Sequence, residues 1–207
     1  MSAEHGFQLG PTVLVIASGN AGKLREFTAL LGDLNLELQP QPAGLEVEET
    51  GDSFAANARL KAEAVARATG HWALADDSGL SVEALGGAPG IHSARYASDD
   101  GARIARLLRE LEAAGSPAAP AHRRAQFTAA LALADPRGQT VLEVEGSCPG
   151  EILEAPRGDG GFGYDPIFWV PEAAQTFAEM DPDLKRRLGH RGRALEALLP
   201  RLGPLLL

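Results

Sequence analysis

Apolar and polar positions switch between two periods along this chain. Thr12 to Ala17 is apolar and β-branched, Ser18-Gly19-Asn20 is turn-forming, and Leu24, Phe27, Leu30 and Leu31 then recur at helical spacing within Lys23 to Leu31. The pattern predicts a strand, a small-residue loop with free backbone N–H groups, and a helix. A second strand is expected around Leu34 to Leu38, followed by the acidic Glu46-Val47-Glu48-Glu49 and a helix from about Ser53 to Ala68 that Asp52 or Ser53 can cap.

Trp72 to Ala75 reads as a short buried strand ending on Asp76-Asp77-Ser78-Gly79, which predicts two carboxylates at a strand-to-turn junction. Beyond Gly86-Gly87-Ala88-Pro89-Gly90, a helix is expected near Asp99 to Ala113, with Ile104, Leu107, Leu108 and Leu111 on one stripe. Gly115 to Pro120 is a Pro/Ala-rich connector. Gln126 to Ala134 and Gln139 to Cys148 predict two strands joined by Asp135-Pro136-Arg137-Gly138, with the residues of a type I turn. Leu142 and Val144 alternate with Glu143 and Glu145, as on a sheet with one solvated face. Short strands are expected around Glu151 to Leu153 and Ile167 to Val170, and a last helix carries Leu195, Leu198, Leu199 and Leu202. No internal repeat is present. The whole reads as a single mixed α/β unit, with two lobes sharing a sheet.

Composition narrows the function. The chain has 207 residues, 44% of them hydrophobic, enough for one sizeable core or two small lobes. Its apolar runs are far shorter than the ~20 residues of a membrane helix, and no signal peptide opens it, so a cytoplasmic protein is expected. The single cysteine, Cys148, excludes an internal disulfide and a thiolate-rich zinc site, and is read as a packing residue. A formal charge of −9 argues against a nucleic-acid surface. An anionic ligand would need a local cationic pocket or a metal.

Four groups of residues could supply one. Ser18-Gly19-Asn20-Ala21-Gly22-Lys23 lies between strand and helix, where backbone amides, the helix dipole and Lys23 can meet phosphate. It is not a Walker A loop, because only two residues separate the glycines and Leu24 stands where Ser or Thr would hold magnesium. Glu48-Glu49 and Asp76-Asp77 could converge on a divalent cation, and Asn57 and Lys61, one helical turn apart, could face the same point or water. Gly158 to Pro166 is glycine-dense, and its Phe162 and Tyr164 offer flat surfaces to a base. Lys185 with His190-Arg191 forms a cationic cluster near the start of the last helix. Each group alone is also compatible with a turn or solvated surface, Asp76-Asp77 least so because it leaves an apolar strand.

Taken in order, the first of these segments, Glu48-Glu49-Thr50-Gly51, Ala75-Asp76-Asp77-Ser78-Gly79-Leu80, Gly86-Gly87-Ala88-Pro89-Gly90, Ser93-Ala94-Arg95-Tyr96, Gly161-Phe162-Gly163-Tyr164-Asp165-Pro166 and His190-Arg191 resemble the inosine triphosphate pyrophosphatase family across nearly the whole chain. The resemblance implies a long mixed sheet, two α/β lobes with a nucleotide cleft between them, a homodimer, and magnesium as cofactor. It implies Asp77 as catalytic base and metal ligand and Glu48 as second metal carboxylate, with Glu49 as its possible substitute. Ser18, Gly19, Asn20, Ala21, Gly22 and Lys23 would hold the triphosphate. Ser78, Phe162, Gly163, Tyr164, Asp165, Lys185, His190 and Arg191 match the remaining substrate contacts. His92 departs from the aromatic residue usual before Ser-Ala-Arg-Tyr, and Cys148 from a Trp before Pro-Gly. His5, His71 and His122 match nothing in the pattern and are read as surface.

The expected reaction is hydrolysis of non-standard purine triphosphates (ITP, dITP, XTP) to a monophosphate and pyrophosphate. Asp77 would take the proton of the attacking water, and Lys23 would absorb charge on the leaving group. Two rivals are a Maf-like pyrophosphatase acting on other bases and a catalytically silent nucleotide-binding module. The Phe-Gly-Tyr-Asp and His-Arg segments favour the first reading over the Maf-like one.

Overall fold

The computed structural model describes residues 11–32, 34–115 and 122–206. Strand β1 (Thr12–Ala17) runs parallel to both its neighbours, β2 (Leu36–Pro40) and β3 (Trp72–Val82). Strands β4 (Arg124–Ala134), β5 (Thr140–Ile152), β6 (Phe168–Val170) and β7 (Gln175–Thr176) continue antiparallel, giving one seven-stranded mixed sheet in the order β2-β1-β3-β4-β5-β6-β7. Among the described residues five α-helices accompany it: α1 (Ala21–Leu31), α2 (Phe54–Thr69), α3 (Asp100–Ala113), α4 (Pro182–Leu188) and α5 (His190–Leu206).

Because side chains alternate across a strand, the sheet presents two different faces. Leu14, Ile16, Leu74, Leu131 and Leu133 meet Phe27 and Leu31 of α1 and Leu195, Leu198 and Leu202 of α5. On the other face Val15, Ala73, Ala75, Ala130 and Ala132 meet Ala58, Ala62 and Val65 of α2. Small residues on both sides of that contact let α2 lie close to the sheet. A further core gathers Leu80, Phe127, Cys148, Ile152, Phe168 and Phe177 with Leu107 and Leu111 of α3. Each fully buried large side chain in these layers contributes roughly 1.5–3 kcal/mol of transfer free energy.

Several sequence expectations need correction. β3 does not stop at Ala75 but continues to Val82, because β4 pairs with it from Ala73 opposite Ala134 to Val82 opposite Ala125. Asp76 and Asp77 therefore sit in mid-strand, not at a turn. The strand expected at Glu151 is the end of β5, and the last cationic cluster spans two helices, since Gly189 separates α4 from α5. β2 starts two residues later than expected, and β7 carried no sequence signal. Residues 116–120 of the expected connector lie outside the described residues. The β4–β5 turn forms as expected, with the Gly138 amide donating to the Asp135 carbonyl at 2.8 Å.

One feature of this topology creates the site. β1 pairs with β3 only as far as Ala17 opposite Ala75, and then leaves for α1. From Asp76 to Gly79, β3 has β4 on one edge and, among the described residues, no strand on the other. This gap lies beyond the carboxyl end of a parallel strand, where open α/β sheets place their ligands.

Candidate active site

The loop leaving β1 is shaped by its own side chains. Asn20 caps α1, its Oδ1 accepting from the amides of Gly22 at 2.8 Å and Lys23 at 3.1 Å, while Ser18 Oγ accepts from the Asn20 amide at 3.1 Å. The expectation of free loop amides is thus corrected in part. A capping side chain is cheap to form locally and already satisfies the donors that phosphate would otherwise find.

Lys23, in the first turn of α1, reaches the free edge of β3 from one face of the sheet. It pairs with Asp76 Oδ2 at 2.7 Å and approaches the Asp76 carbonyl at 3.4 Å. From α2 on the opposite face Lys61 reaches the same carbonyl at 2.9 Å, and also Asp77 Oδ1 at 2.8 Å and Glu49 Oε1 at 2.9 Å. Asn57, one turn earlier, donates to Asp77 Oδ2 at 3.4 Å and accepts from the Gly51 amide at 2.8 Å. Of the two readings left open for Asn57 and Lys61, the structure selects the one in which both face the site.

Electrostatics separates the two neighbouring aspartates. Burial alone would raise Asp76, but Lys23 and Arg191 outweigh it and hold its carboxyl well below the usual range. For Asp77 burial wins against Lys61, and its carboxyl lies above the ordinary value. Asp76 is thus a permanent anion that positions cations, and Asp77 is the better proton acceptor. Glu49 is held low despite partial burial by Lys61 and by Arg95, which binds its second oxygen.

Arg191 uses all three of its guanidinium nitrogens. Its guanidinium meets Asp76 Oδ2 at 3.3 Å, Glu26 Oε2 at 2.9 Å and Ser78 Oγ at 2.8 Å, and Ser78 in turn donates to Asp76 at 3.1 Å. α5 can carry Arg191 this close because it lies directly on β5 at Gly146, where a Cβ would collide with the backbone of His190 and Ala194. Glu26 follows Lys23 by three residues on α1, so one helix face supplies both the cation and the anchor. Glu26 was not singled out in the sequence, although its spacing from Lys23 was the available signal.

The other wall of the cleft is the segment from Gly161 to Asp165. Asp165 Oδ2 accepts from the Phe162 amide at 2.9 Å and from Lys185 at 2.7 Å, and the Gly163 amide donates to Asp100 Oδ2 of α3 at 2.7 Å. Asp100 is a second residue missed in the sequence, where it fell inside the helix expected from Asp99. Phe162 is half-buried, with Lys185 Nζ 5.4 Å from its ring centroid. Tyr164 is not available for stacking, because its ring is packed in the core and its hydroxyl donates to the Ser93 carbonyl at 3.1 Å. His190 is buried between the cleft and the core and stacks on Phe127 at 4.7 Å. Burial keeps its imidazole well below the usual histidine value, and neither ring nitrogen has a partner.

The cleft is lined by Asn20, Gly22, Lys23, Ser78, Gly161 to Asp165, His190 and Arg191. Gly19 and Ala21 lie exposed at its rim, and Lys185 faces it from beside Asp165. Glu48 is exposed, while Glu49 stands beside the cation of Asp77. His71, His92 and His122 are exposed, and His5 lies outside the described residues. Cys148 is fully buried, with its thiol pushed up to about 11 by burial, as suits a packing residue. Among the described residues no helix is long and apolar enough to cross a membrane, and no three His, Cys, Asp or Glu side chains gather as a metal cluster.

Cations reaching one strand edge from both faces, a basic carboxylate between them and an aromatic wall define an α/β enzyme that handles a nucleoside polyphosphate. The chain belongs to the Ham1 family, whose model matches residues 14–201. It is 57% identical over 194 residues to the dITP/XTP pyrophosphatase of a Nostoc species, covering 94% of this chain and 96% of that one. It is 59% identical over 194 residues to the dITP/XTP pyrophosphatase of a Synechococcus species, covering 94% and 91%. Among solved structures, a HAM1 protein from Coxiella burnetii matches with a TM-score of 0.84 at 44% identity, over 93% of this chain and 99% of that chain. The Staphylococcus aureus Ham1 protein matches with a TM-score of 0.80 at 39% identity, over the same shares. The family resemblance read from the sequence and the mixed α/β fold are both borne out.

Proposed function

We propose that the chain hydrolyses dITP, XTP and ITP to the monophosphate and pyrophosphate, clearing non-standard purines from the nucleotide pool. The observation that carries this reading is the meeting of Lys23 and Lys61 at the Asp76 carbonyl, beside Asp77. Two ammonium groups there neutralise adjacent phosphates, and Asp77 accepts the proton of a water that attacks the α-phosphorus as its bond to the bridging oxygen of the departing pyrophosphate breaks. Lys23 takes up charge on the departing pyrophosphate.

Magnesium fits these residues. Asp77 Oδ1, Glu49 Oε1 and the Asp76 carbonyl already converge within 2.9 Å of one cationic nitrogen, an all-oxygen donor set suited to a hard cation. Asp77 and Glu49 would hold it, Glu49 in preference to the exposed Glu48. When bound it supplies charge neutralisation on the phosphate oxygens.

For the base, Phe162 supplies a stacking surface. Arg191 is tied through each of its three nitrogens to Asp76, Glu26 and Ser78, and we assign reading of the base edge to Lys185 and to His190, whose neutral ring offers one donor and one acceptor. The family resemblance further supports a homodimer, and the single buried cysteine agrees with a reducing cytoplasm.

A panel of nucleoside triphosphates with magnesium, scored for monophosphate and pyrophosphate by chromatography, tests the proposal. ITP, dITP and XTP are expected well above ATP and GTP in kcat/KM. Equal use of ATP and ITP would overturn the house-cleaning role.

A further inference from the structure

We propose that Lys61 is a built-in counterion, its ammonium filling the place between Asp77 and Glu49 until a nucleotide arrives and draws it onto the polyphosphate. This rests on the reading that Asp77 and Glu49 hold the divalent cation.

An ammonium has three donors, and Lys61 Nζ has three acceptors, Asp77 Oδ1 at 2.8 Å and Glu49 Oε1 and the Asp76 carbonyl at 2.9 Å. It is satisfied like a bound cation, and a divalent ion cannot share those oxygens with it without strong like-charge repulsion. The acceptors are held independently of it. Asp77 Oδ2 is bonded by Asn57, whose own oxygen is tied to the Gly51 amide, and the second oxygen of Glu49 is bonded by Arg95. Lys61 is the member with the reach to move, its charged end carried on a flexible four-carbon stem at the free edge of β3 where Lys23 arrives from the other face. Departure of Lys61 leaves Asp77 without its paired cation and Glu49 with Arg95 alone, and the new partner of Lys61 is the phosphate that Lys23 also serves. Metal and nucleotide therefore bind with positive coupling, each tightening the other by the same factor.

The test is Mn²⁺ binding followed by electron paramagnetic resonance, with and without the α,β-imido analogue of dITP, in the wild type and in Lys61→Met, Lys61→Gln and Lys61→Arg. Without nucleotide, Lys61→Met and Lys61→Gln are expected to bind Mn²⁺ roughly tenfold or more tightly than the wild type, and Lys61→Arg no more tightly. Their melting temperatures should also rise more on adding Mn²⁺ than that of the wild type. If both neutral variants fold cooperatively and bind Mn²⁺ no better than the wild type, the counterion role is overturned. Asp77→Asn separates the two readings in the ternary complex. Unchanged Mn²⁺ affinity there removes the metal site itself, whereas weakened affinity without tightening in the Lys61 variants removes only the counterion.

Discussion

Lys23 and Lys61 come from helices on opposite faces of the sheet and meet at a single backbone oxygen, the carbonyl of Asp76, at 3.4 and 2.9 Å. That is possible only because β1 ends at Ala17 and leaves this carbonyl without a strand partner. The side chains below it follow the same division. Asp76 points to α1 and α5, Asp77 to α2, as alternation requires, so one dipeptide serves two tasks.

Asp77→Asn is expected to lower kcat by ~10²–10⁴-fold while the protein stays folded, because the amide keeps the shape and loses the proton acceptor. Circular dichroism would establish the fold, and pyrophosphate release the rate. Activity within threefold of wild type would remove Asp77 from the chemistry.

Asp76→Asn acts on stability instead. It leaves Lys23 and Arg191 buried beside a neutral group, a change that typically costs about 3–5 kcal/mol. The sign with pH follows from the depressed carboxyl of Asp76. Its contribution is complete above the unfolded value of about 4 and is lost as pH falls below that toward the folded value. Urea unfolding at pH 7 and pH 3 should therefore show a large difference between wild type and variant at pH 7 and a smaller one at pH 3.

Much of this arrangement was legible from spacing. Strand β1, helices α1 to α3 and the β4–β5 turn announce themselves by period and caps, and Asn57 and Lys61 share a face because four residues make a helical turn. What local pattern could not reveal depends on partners distant in sequence. Asp76-Asp77 looks like a strand end until β4 is known to pair through it, and Tyr164 looks exposed until its hydroxyl is traced to Ser93. Glu48 and Glu49 are indistinguishable in a polar loop, and only Lys61 and Arg95 single out the second.

Glu48 and Glu49 can accordingly be told apart by experiment. Glu49→Gln is expected to raise the magnesium concentration for half-maximal rate by about tenfold or more, since an anionic oxygen ligand is lost. Glu48→Gln should shift it less than twofold. A magnesium titration at fixed dITP measures both, and the reverse order would restore Glu48 as the ligand.

The base site yields a prediction in which two residues on one wall behave differently. Phe162 offers a π-face, and every purine has one, so stacking adds affinity without choosing among bases. Losing such a stack costs ~1–3 kcal/mol per base. Phe162→Ala should lower kcat/KM for ITP and ATP together, by roughly 5- to 150-fold at that range. Lys185 is different, because its ammonium lies against Phe162 while bound to Asp165, and can offer a donor to the edge of a stacked ring. Inosine and xanthosine carry an oxygen at C6 and adenine an amino group, so a donor there rewards the first two and opposes the third. Sites that hydrogen-bond a substrate group reject the analogue lacking it far more strongly than apolar pockets sort by size. Lys185→Met is therefore expected to lower ITP use while leaving the residual use of ATP unchanged or raised, narrowing the ratio between them. Asp165→Asn should follow Lys185→Met, because it loosens the same ammonium. Should Lys185→Met depress both nucleotides equally, Lys185 serves only to hold the Phe162 segment in place, and selection at C6 passes to His190.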